Sequence, residues 1–340
     1  MSVVATRRGS QLAHLAIAAI ASLAVACLAG EAGAQAPARI ATDCDRACLD
    51  ALVRDYLAAV IAHDPSRLPL SADVKYTENE QTLDVGDGFW RTAAGIGNYA
   101  HGFADPVTTQ AGWMGTMKEG GATVLMALCL RVQLGKISEI ETSYFRPGGG
   151  GPNDIGAMDA RRTPEPMWLE PIPLAKRSSR NDLVAIANAY FDGVQRNDGK
   201  GFYPFADDCD RIENGAHTTN NKSGPTTPGG FNYMALDCKK QLESGYLAIV
   251  TSVHHRRYPL VDEERGVVWS NAVFDLGGTV RSITLTSGET VDTSAFAGRA
   301  SSIEVTEAFK IENGKIRRVE MIGGTAPYHL NSPWGGTSGR

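Results

Sequence analysis

Past residue 30 this sequence has no apolar run long enough to cross a bilayer, no block of basic residues, and only six cysteines in 340 residues in all. The missing apolar run leaves no membrane span in the body of the chain. The missing basic block, with 33 Lys and Arg against 38 Asp and Glu and a formal net charge of −5, removes the electrostatic footprint that nucleic acid requires. A nucleophile elbow, a phosphate loop, a dinucleotide fingerprint and a zinc-protease helix are all absent. The glycine-rich stretches sit in linkers or hairpins rather than between a strand and a helix. Any chemistry is therefore expected to need no cofactor. Apolar residues are not scarce: at 43% they argue for filled cores rather than disorder.

The N-terminus carries the apolar run that the rest lacks. Arg7-Arg8 precede an Ala/Leu-rich stretch over 12–30, and Ala32-Gly33-Ala34 stands just before Gln35. That is the layout of a secretory leader, residues 1–34, cut after Ala34, and it implies a periplasmic or secreted protein. A membrane anchor is the competing reading, but the run is at the short end for a span and ends in small residues. Lipidation at Cys27 is poorly matched by Ala24, and twin-arginine export by Ser10; Sec and twin-arginine routes both stay open. A mature chain of roughly 300 residues has room for two domains of ordinary size.

Cysteines left after cleavage are Cys44, Cys48, Cys129, Cys209 and Cys238. An oxidising compartment makes disulfides the expectation. Cys44 and Cys48 are four apart at a helix start, a Cα separation of about 6 Å, which a disulfide can bridge. Cys209 and Cys238 flank a Gly/Asn/Thr/Pro-rich excursion, and pinning a loop of that length contributes about 3 kcal/mol by the chain-entropy estimate. Cys129, inside a strand-like run, is left as a buried thiol. A zinc site is the alternative, but the spacing matches no standard metal motif, so no metal is expected.

Internal repetition is the strongest signal. The helical pattern Leu49-Leu52-Val53-Tyr56-Leu57-Val60 returns as Leu183-Ile186-Ala187-Tyr190-Phe191-Val194. At the same offset Asp64 falls on Asp198 and Ala72-Asp73 on Ala206-Asp207, and one residue later Glu78-Asn79 falls on Glu213-Asn214. Far downstream, Gly135-Lys136-Ile137 through Glu141 matches Gly314-Lys315-Ile316 through Glu320. The chain therefore divides into a first α+β unit (43–146), a Gly/Pro-rich linker (147–178), a second unit (179–324) and a tail (325–340).

In the first unit a helix capped by Thr42, with Asp45 three residues on, is followed by a weakly alternating edge strand over 74–79 and a short helix around 95–103. Strands over 111–118, 122–134 and 136–145 follow, joined by hairpin-like turns. The second unit repeats this order: a helix, an extended segment, a helix near 237–246, then strands over 247–257, 266–274, 301–311 and 315–322. It is lengthened by excursions at 215–236 and 276–299.

A long helix, a short helix and then long antiparallel strands is the order of the nuclear-transport-factor-2-like (NTF2-like), or SnoaL-like, α+β cone, which the chain resembles twice over. It is most similar to a group of secreted proteins of unassigned function. That likeness is carried by Cys44-Asp45-Arg46-Ala47-Cys48-Leu49, Ala62-His63-Asp64-Pro65-Ser66, Thr77-Glu78-Asn79-Glu80-Gln81 and Gly86-Asp87-Gly88-Phe89-Trp90-Arg91-Thr92. The resemblance implies two tandem cones, each a curved antiparallel sheet packed on helices. It also implies a monomer holding an internal pseudo-dimer, because the sheet face that homodimers of this fold bury is already covered. It does not fix function, since the superfamily holds isomerases, cyclases, dehydratases, epoxide hydrolases and plain binding domains.

A cone packed by a helix leaves an apolar pocket, and the resemblance implies that an Asp, Glu or His there would act as acid or base, with Tyr, Trp or Asn donors stabilising an oxyanion. Glu78 and Asn79 are the first candidates, with Tyr99 and His101. Because both copies keep the Glu-Asn pair, a structural role at a strand end competes with the catalytic one. Glu141 and Glu320 are read as solvent-facing, and His63 as a helix C-terminal cap. Residues that differ between copies are the better sign of specialisation: Trp90, Trp113, His217 and the run His254-His255-Arg256-Arg257-Tyr258. Strand alternation puts His254 and Arg256 on one face, suited to a substrate carboxylate or enolate, with an outward pair bonded to Asp262 or Glu263 as the alternative. Two functions follow. One is an exported, cofactor-independent acid–base enzyme (lyase, isomerase or hydrolase) acting on a small apolar or carbohydrate-derived molecule. The other is a non-catalytic periplasmic binding or assembly module. An ionisable residue at the base of a closed apolar pocket marks the first, and one at an open rim the second.

Overall fold

The computed structural model describes residues 44–335, so the leader expected at 1–34 lies outside them. Helix α1 (Arg46–Ile61) forms because Leu49, Val53, Tyr56, Leu57 and Val60 recur at helical spacing and are all buried. Its N-cap is Asp45, whose carboxylate accepts from the Cys48 N–H at 2.9 Å; the expected cap, Thr42, is outside the described residues. The Cys44–Cys48 disulfide closes over this first turn.

Strands β1 (Leu70–Glu78), β2 (Gln81–Leu83), β3 (Ala93–Asp105), β4 (Gln110–Glu119), β5 (Ala122–Gln133) and β6 (Lys136–Phe145) build one sheet in the order β2-β1-β6-β5-β4-β3. Two expectations are corrected here. The segment read as an edge strand, β1, lies one in from the edge and pairs parallel with β6. The segment read as a short helix around 95–103 is the middle of β3. Its period is two: Tyr99, His101 and Phe103 are buried while Ala100 and Gly102 are exposed.

The connection carries a helix of its own, α2 (Ile155–Arg161), capped by Asp154. Its Asp159 accepts from the Asn98 N–H at 2.7 Å and from the Thr116 hydroxyl at 2.5 Å, and its Met158 is buried against the first sheet.

The second unit runs α3 (Arg180–Arg196), β7 (Phe205–Glu213), β8 (Ala216–His217), α4 (Cys238–Glu243), β9 (Ser252–Asp262), β10 (Val267–Leu276), a small hairpin β11 (Ser282–Thr284) and β12 (Thr290–Asp292), then β13 (Ser301–Glu312) and β14 (Lys315–Ala326). Its sheet order, β8-β7-β14-β13-β10-β9, is the first sheet's order again, with β7 and β14 parallel as β1 and β6 are. The fold is α+β, two curved sheets of mixed pairing, each with a helix in its concave face.

Matching turns confirm the equivalence. Asn79 and Asn214 end β1 and β7 in the left-handed region, at φ 47° and 46°. Each side-chain amide then bridges to the neighbouring strand in both directions. Asn79 donates to the Tyr144 carbonyl at 3.2 Å and accepts the Tyr144 N–H at 2.7 Å, and Asn214 does the same with Gly323 at 3.0 and 3.1 Å.

The two sheets pack back to back. Phe103, Gly112, Cys129 and Glu141 form one row across the first sheet, and Leu260, Trp269, Ala308 and Glu320 form the matching row across the second. Between them lies an apolar cluster of Tyr99, Phe103, Met114, Leu125, Phe145, Trp168, Leu260, Trp269 and Ile322. Glu141 and Glu320, expected to face solvent, are buried in this layer because both sheet faces are covered. Glu141 pairs with Arg257 of the other unit, and Glu320 accepts from His101 at 3.1 Å and from the Tyr99 hydroxyl at 2.8 Å. Among the described residues no helix is long and apolar enough to cross a membrane.

Candidate functional site

The interiors of the two cones differ, and the register shows where. In the first sheet the inward row is Trp113, Leu128 and Thr142; in the second it is Ser270, Glu307 and Met321. On the parallel strands, Tyr76 opposite Ile140 is replaced by Arg211 opposite Val319. The first cone is filled. Trp90, Tyr56, Tyr76 and Phe89 are fully buried in it, with Trp90 edge-on to Tyr56 at 5.4 Å and Phe89 stacked on Tyr144 at 4.3 Å. The second cone has Ser270 where the first has Trp113, and it holds a cavity of about 520 Å³ lined by Arg211, Glu307 and Met321 from these inward positions, within the ~300–1,000 Å³ usual for small-molecule sites.

That cavity is apolar along most of its wall, with Val194, Ile249, Val250, Phe274, Leu276, Ile303 and Val305. Its mouth is made by the two excursions that lengthen the second unit: Pro225 to Phe231 on one side, Ala295 and Phe296 on the other. The Cys209–Cys238 disulfide pins the base of the first excursion, which is also tied back through the Gln241 amide to the carbonyls of Thr218 and Tyr233.

At the buried end sit Glu307, Arg211, Tyr190 and Tyr233, with Glu213 beside them. Glu307 is 1% exposed and accepts from the Tyr190 hydroxyl at 3.2 Å, while its second carboxylate oxygen has no partner. Burial pushes its carboxyl up to about 8; the Arg211 charge opposes this, Glu213 adds to it, and the Tyr190 bond opposes it. Arg211 is held by Glu213 and by the Gln241 side chain at 2.8 Å, leaving its buried Nε–H without a partner. The Tyr233 hydroxyl is likewise buried and unpartnered. Unsatisfied polar groups in an apolar pocket are expensive unless a ligand meets them.

The residues singled out in the sequence do not meet at one place. Glu78 accepts from the Phe89 N–H at 2.7 Å at the end of β1, and Asn79 bridges to β6. Trp90 and Trp113 are in the filled core of the first cone, where the Trp90 carbonyl meets the His63 ring. Tyr99 and His101, expected beside a pocket, lie between the sheets on Glu320. His254 and Arg256 do not share a face. A bulge with His255 at φ 52° sets His254 opposite Val273 and Arg257 opposite Asn271, on the face toward the other sheet. Arg256 instead reaches Asp192 of α3, and the Tyr258 hydroxyl donates to Asn188 at 2.8 Å. A second recess, about 660 Å³, is open and polar, with Asp154, Asp210 and His217 in its wall.

Strand order, register and a helix-stopped cavity define a tandem pair of NTF2-like cones. Residues 176–323, which take in nearly all of the second unit, match a family described as "Domain of unknown function (DUF8021)". No curated protein matches the chain. Among solved structures it is similar to an NTF2-like protein of unknown function from Cytophaga hutchinsonii, at 9% identity over 28% of this chain and 89% of that one, with a TM-score of 0.24. It is also similar to a hypothetical protein of ketosteroid-isomerase-like fold from Catenulispora acidiphila, in complex with trimethylamine, at 22% identity over 28% and 85%, with a TM-score of 0.22. A phenazine biosynthesis-related protein from Pseudomonas aeruginosa matches at 9% over 43% and 76%, with a TM-score of 0.23.

Proposed function

We propose that the second cone is the active site of an exported, cofactor-independent acid–base enzyme of isomerase or lyase type. Its substrate would be a small, largely apolar molecule bearing a carbonyl. The observation that carries this reading is Glu307, an ionisable group at the buried end of an apolar cavity beside a fixed cation. Arg211 stays charged and offers its free Nε–H to an oxygen on which negative charge develops. With that charge covered, the role left for Glu307 is proton transfer at carbon. A base titrating near 8 is far stronger than an ordinary carboxylate and still partly ionised at neutrality. Tyr190 orients it, and the walls exclude water. Glu78, Asn79, Tyr99 and His101 take supporting roles in this proposal, the first pair at a strand end and the second in the layer between sheets. Export rests on the leader pattern at 1–34 and on the two disulfides.

The test is native mass spectrometry of the mature chain against apolar acids, lactones and sugar derivatives, with Glu307→Gln alongside. A compound consumed by the wild type but held unchanged by Glu307→Gln supports the enzyme. A compound held unchanged by both makes the second cone a binding module.

A further inference from the structure

We propose that His254, Asp275 and His329 form a binding site for a divalent transition-metal ion of the zinc class, on the face of the second sheet away from the cavity. One ligand atom from each lies within 4.8 Å of the others. His254 Nε2 is 3.2 Å from one Asp275 oxygen, and His329 Nδ1 is 2.8 Å from the other. Two imidazoles and a carboxylate are donors that zinc accepts at about 2.0–2.2 Å, and a tetrahedral arrangement at those lengths spaces donor atoms roughly 3.3 Å apart. The two nitrogen–oxygen spacings, 3.2 and 2.8 Å to the two different Asp275 oxygens, are near that value, the full set of three lies within 4.8 Å, and the side chain that must move to close it is His329, which is 71% exposed.

Two further observations point to a ligand rather than to a simple ion pair. His254 is 3% exposed, and its buried Nε2, although 3.2 Å from an Asp275 oxygen, does not meet it in hydrogen-bond geometry and points into this cluster. Asp275 is already oriented from behind, as ligating carboxylates are: Ser302 donates to its Oδ1 at 2.5 Å, and the same hydroxyl accepts the His329 N–H at 2.8 Å. The backbone is bent to bring the rings together. His255 and His329 both occupy the left-handed region, at φ 52° and 59°, which non-glycine residues enter at some strain.

Three protein ligands leave a fourth position facing solvent beside His329. The site also stands where the tail begins to cross from the second unit to the first. Three residues on, Ser332 donates to Glu80 at 2.7 Å, and the Trp334 ring N–H donates to Thr77 at 2.9 Å. A metal here would fasten the near end of that strap.

The experiment is titration of chelator-stripped mature chain with Zn²⁺ by calorimetry and with Co²⁺ by visible absorption, for wild type, His329→Ala, His254→Ala and, as a control, His217→Ala. Expected are one equivalent bound by wild type and His217→Ala, d–d bands from Co²⁺, and a zinc-dependent rise in melting temperature. His329→Ala is expected to weaken binding at least 100-fold. His329 is exposed and outside the cores, so near-UV circular dichroism of that variant should match wild type even if His254→Ala fails to fold. Absence of saturable one-equivalent binding by wild type overturns the proposal, as does His329→Ala binding Zn²⁺ with unchanged affinity.

Discussion

Trp269 lies over Gly112 across the two sheets: a Cβ built on Gly112 would stand 3.0 Å from the indole ring. The two residues hold the same register position in their own sheets, so one copy supplies the knob and the other the space for it. Gly112→Ala is expected to lower stability by roughly 1–3 kcal/mol, the usual range for overpacking a filled core. Trp269→Ala would leave a void and lose about 3–5 kcal/mol. Urea unfolding of both variants checks this; an unchanged midpoint for Gly112→Ala would mean the sheets are free to part there.

The acid–base reading makes the pH profile specific. With Glu307 as the base and its carboxyl raised to about 8, kcat/KM for a converted substrate should climb about tenfold per pH unit below that point and level above it. The Tyr190 hydroxyl favours the ionised form, so Tyr190→Phe should move the limb to higher pH. A limb that stays in place in Tyr190→Phe would remove Glu307 from the titration.

Stability should fall as pH rises. Glu304, between the sheets, titrates at about 8, against 4.5 for an ordinary glutamate; burial is the main cause, with Glu80 and Glu141 adding to it and the Ser143 hydroxyl opposing it. Between those values the folded chain keeps a proton that the unfolded chain has lost. The favourable contribution is complete below 4.5 and is lost as pH passes through 8, a change on the order of a few kcal/mol. Glu307 acts in the same direction. Melting temperature is expected to drop from pH 5 to pH 8, and Glu304→Gln to flatten that slope. An equally steep slope in the variant would locate the titration elsewhere.

Opening the Cys209–Cys238 bridge releases the excursion that forms one side of the cavity mouth. Cys238→Ser should therefore weaken ligand binding as well as lower stability by about 3 kcal/mol. Calorimetric titration of a cavity ligand into the variant checks this. Affinity held at the wild-type value would show that the mouth does not depend on the bridge.

The long hairpin strands of both units were legible because period-two alternation and glycine turns mark them, and the repeat fixed their common order. The segment through Tyr99 and His101 was not, since the glycines at 95, 97 and 102 dilute its alternation. The bulge at His255 defeated the face assignment of its neighbours, because one left-handed residue shifts every side chain beyond it. The cavity residues were hidden in a different way. Strand β13 is covered on both faces, so Glu307, which points into the cavity, looks like an ordinary solvent-facing strand residue, as does Glu304 on the opposite face. A signal for Glu307 was nonetheless present: the match of Gly135-Lys136-Ile137 to Gly314-Lys315-Ile316, carried back along the strand, sets Leu128 opposite Glu307. A carboxylate standing where the sister copy keeps a leucine is what a working site looks like in a repeat.

Joining the copies in one chain has a consequence for how the molecule can change. In a symmetric pair of separate chains every substitution is made twice, so Trp269 would meet another tryptophan and each terminal-strand glutamate would face the same partner. Here each substitution happens once. Glu141 is matched by an arginine and Glu320 by a histidine, and one interior could close around four aromatic rings while the other kept room for a guest. Because both cones lie in one compact unit, Thr42–Arg340, the well-filled half can offset the instability of burying Glu307 and Arg211 in the other.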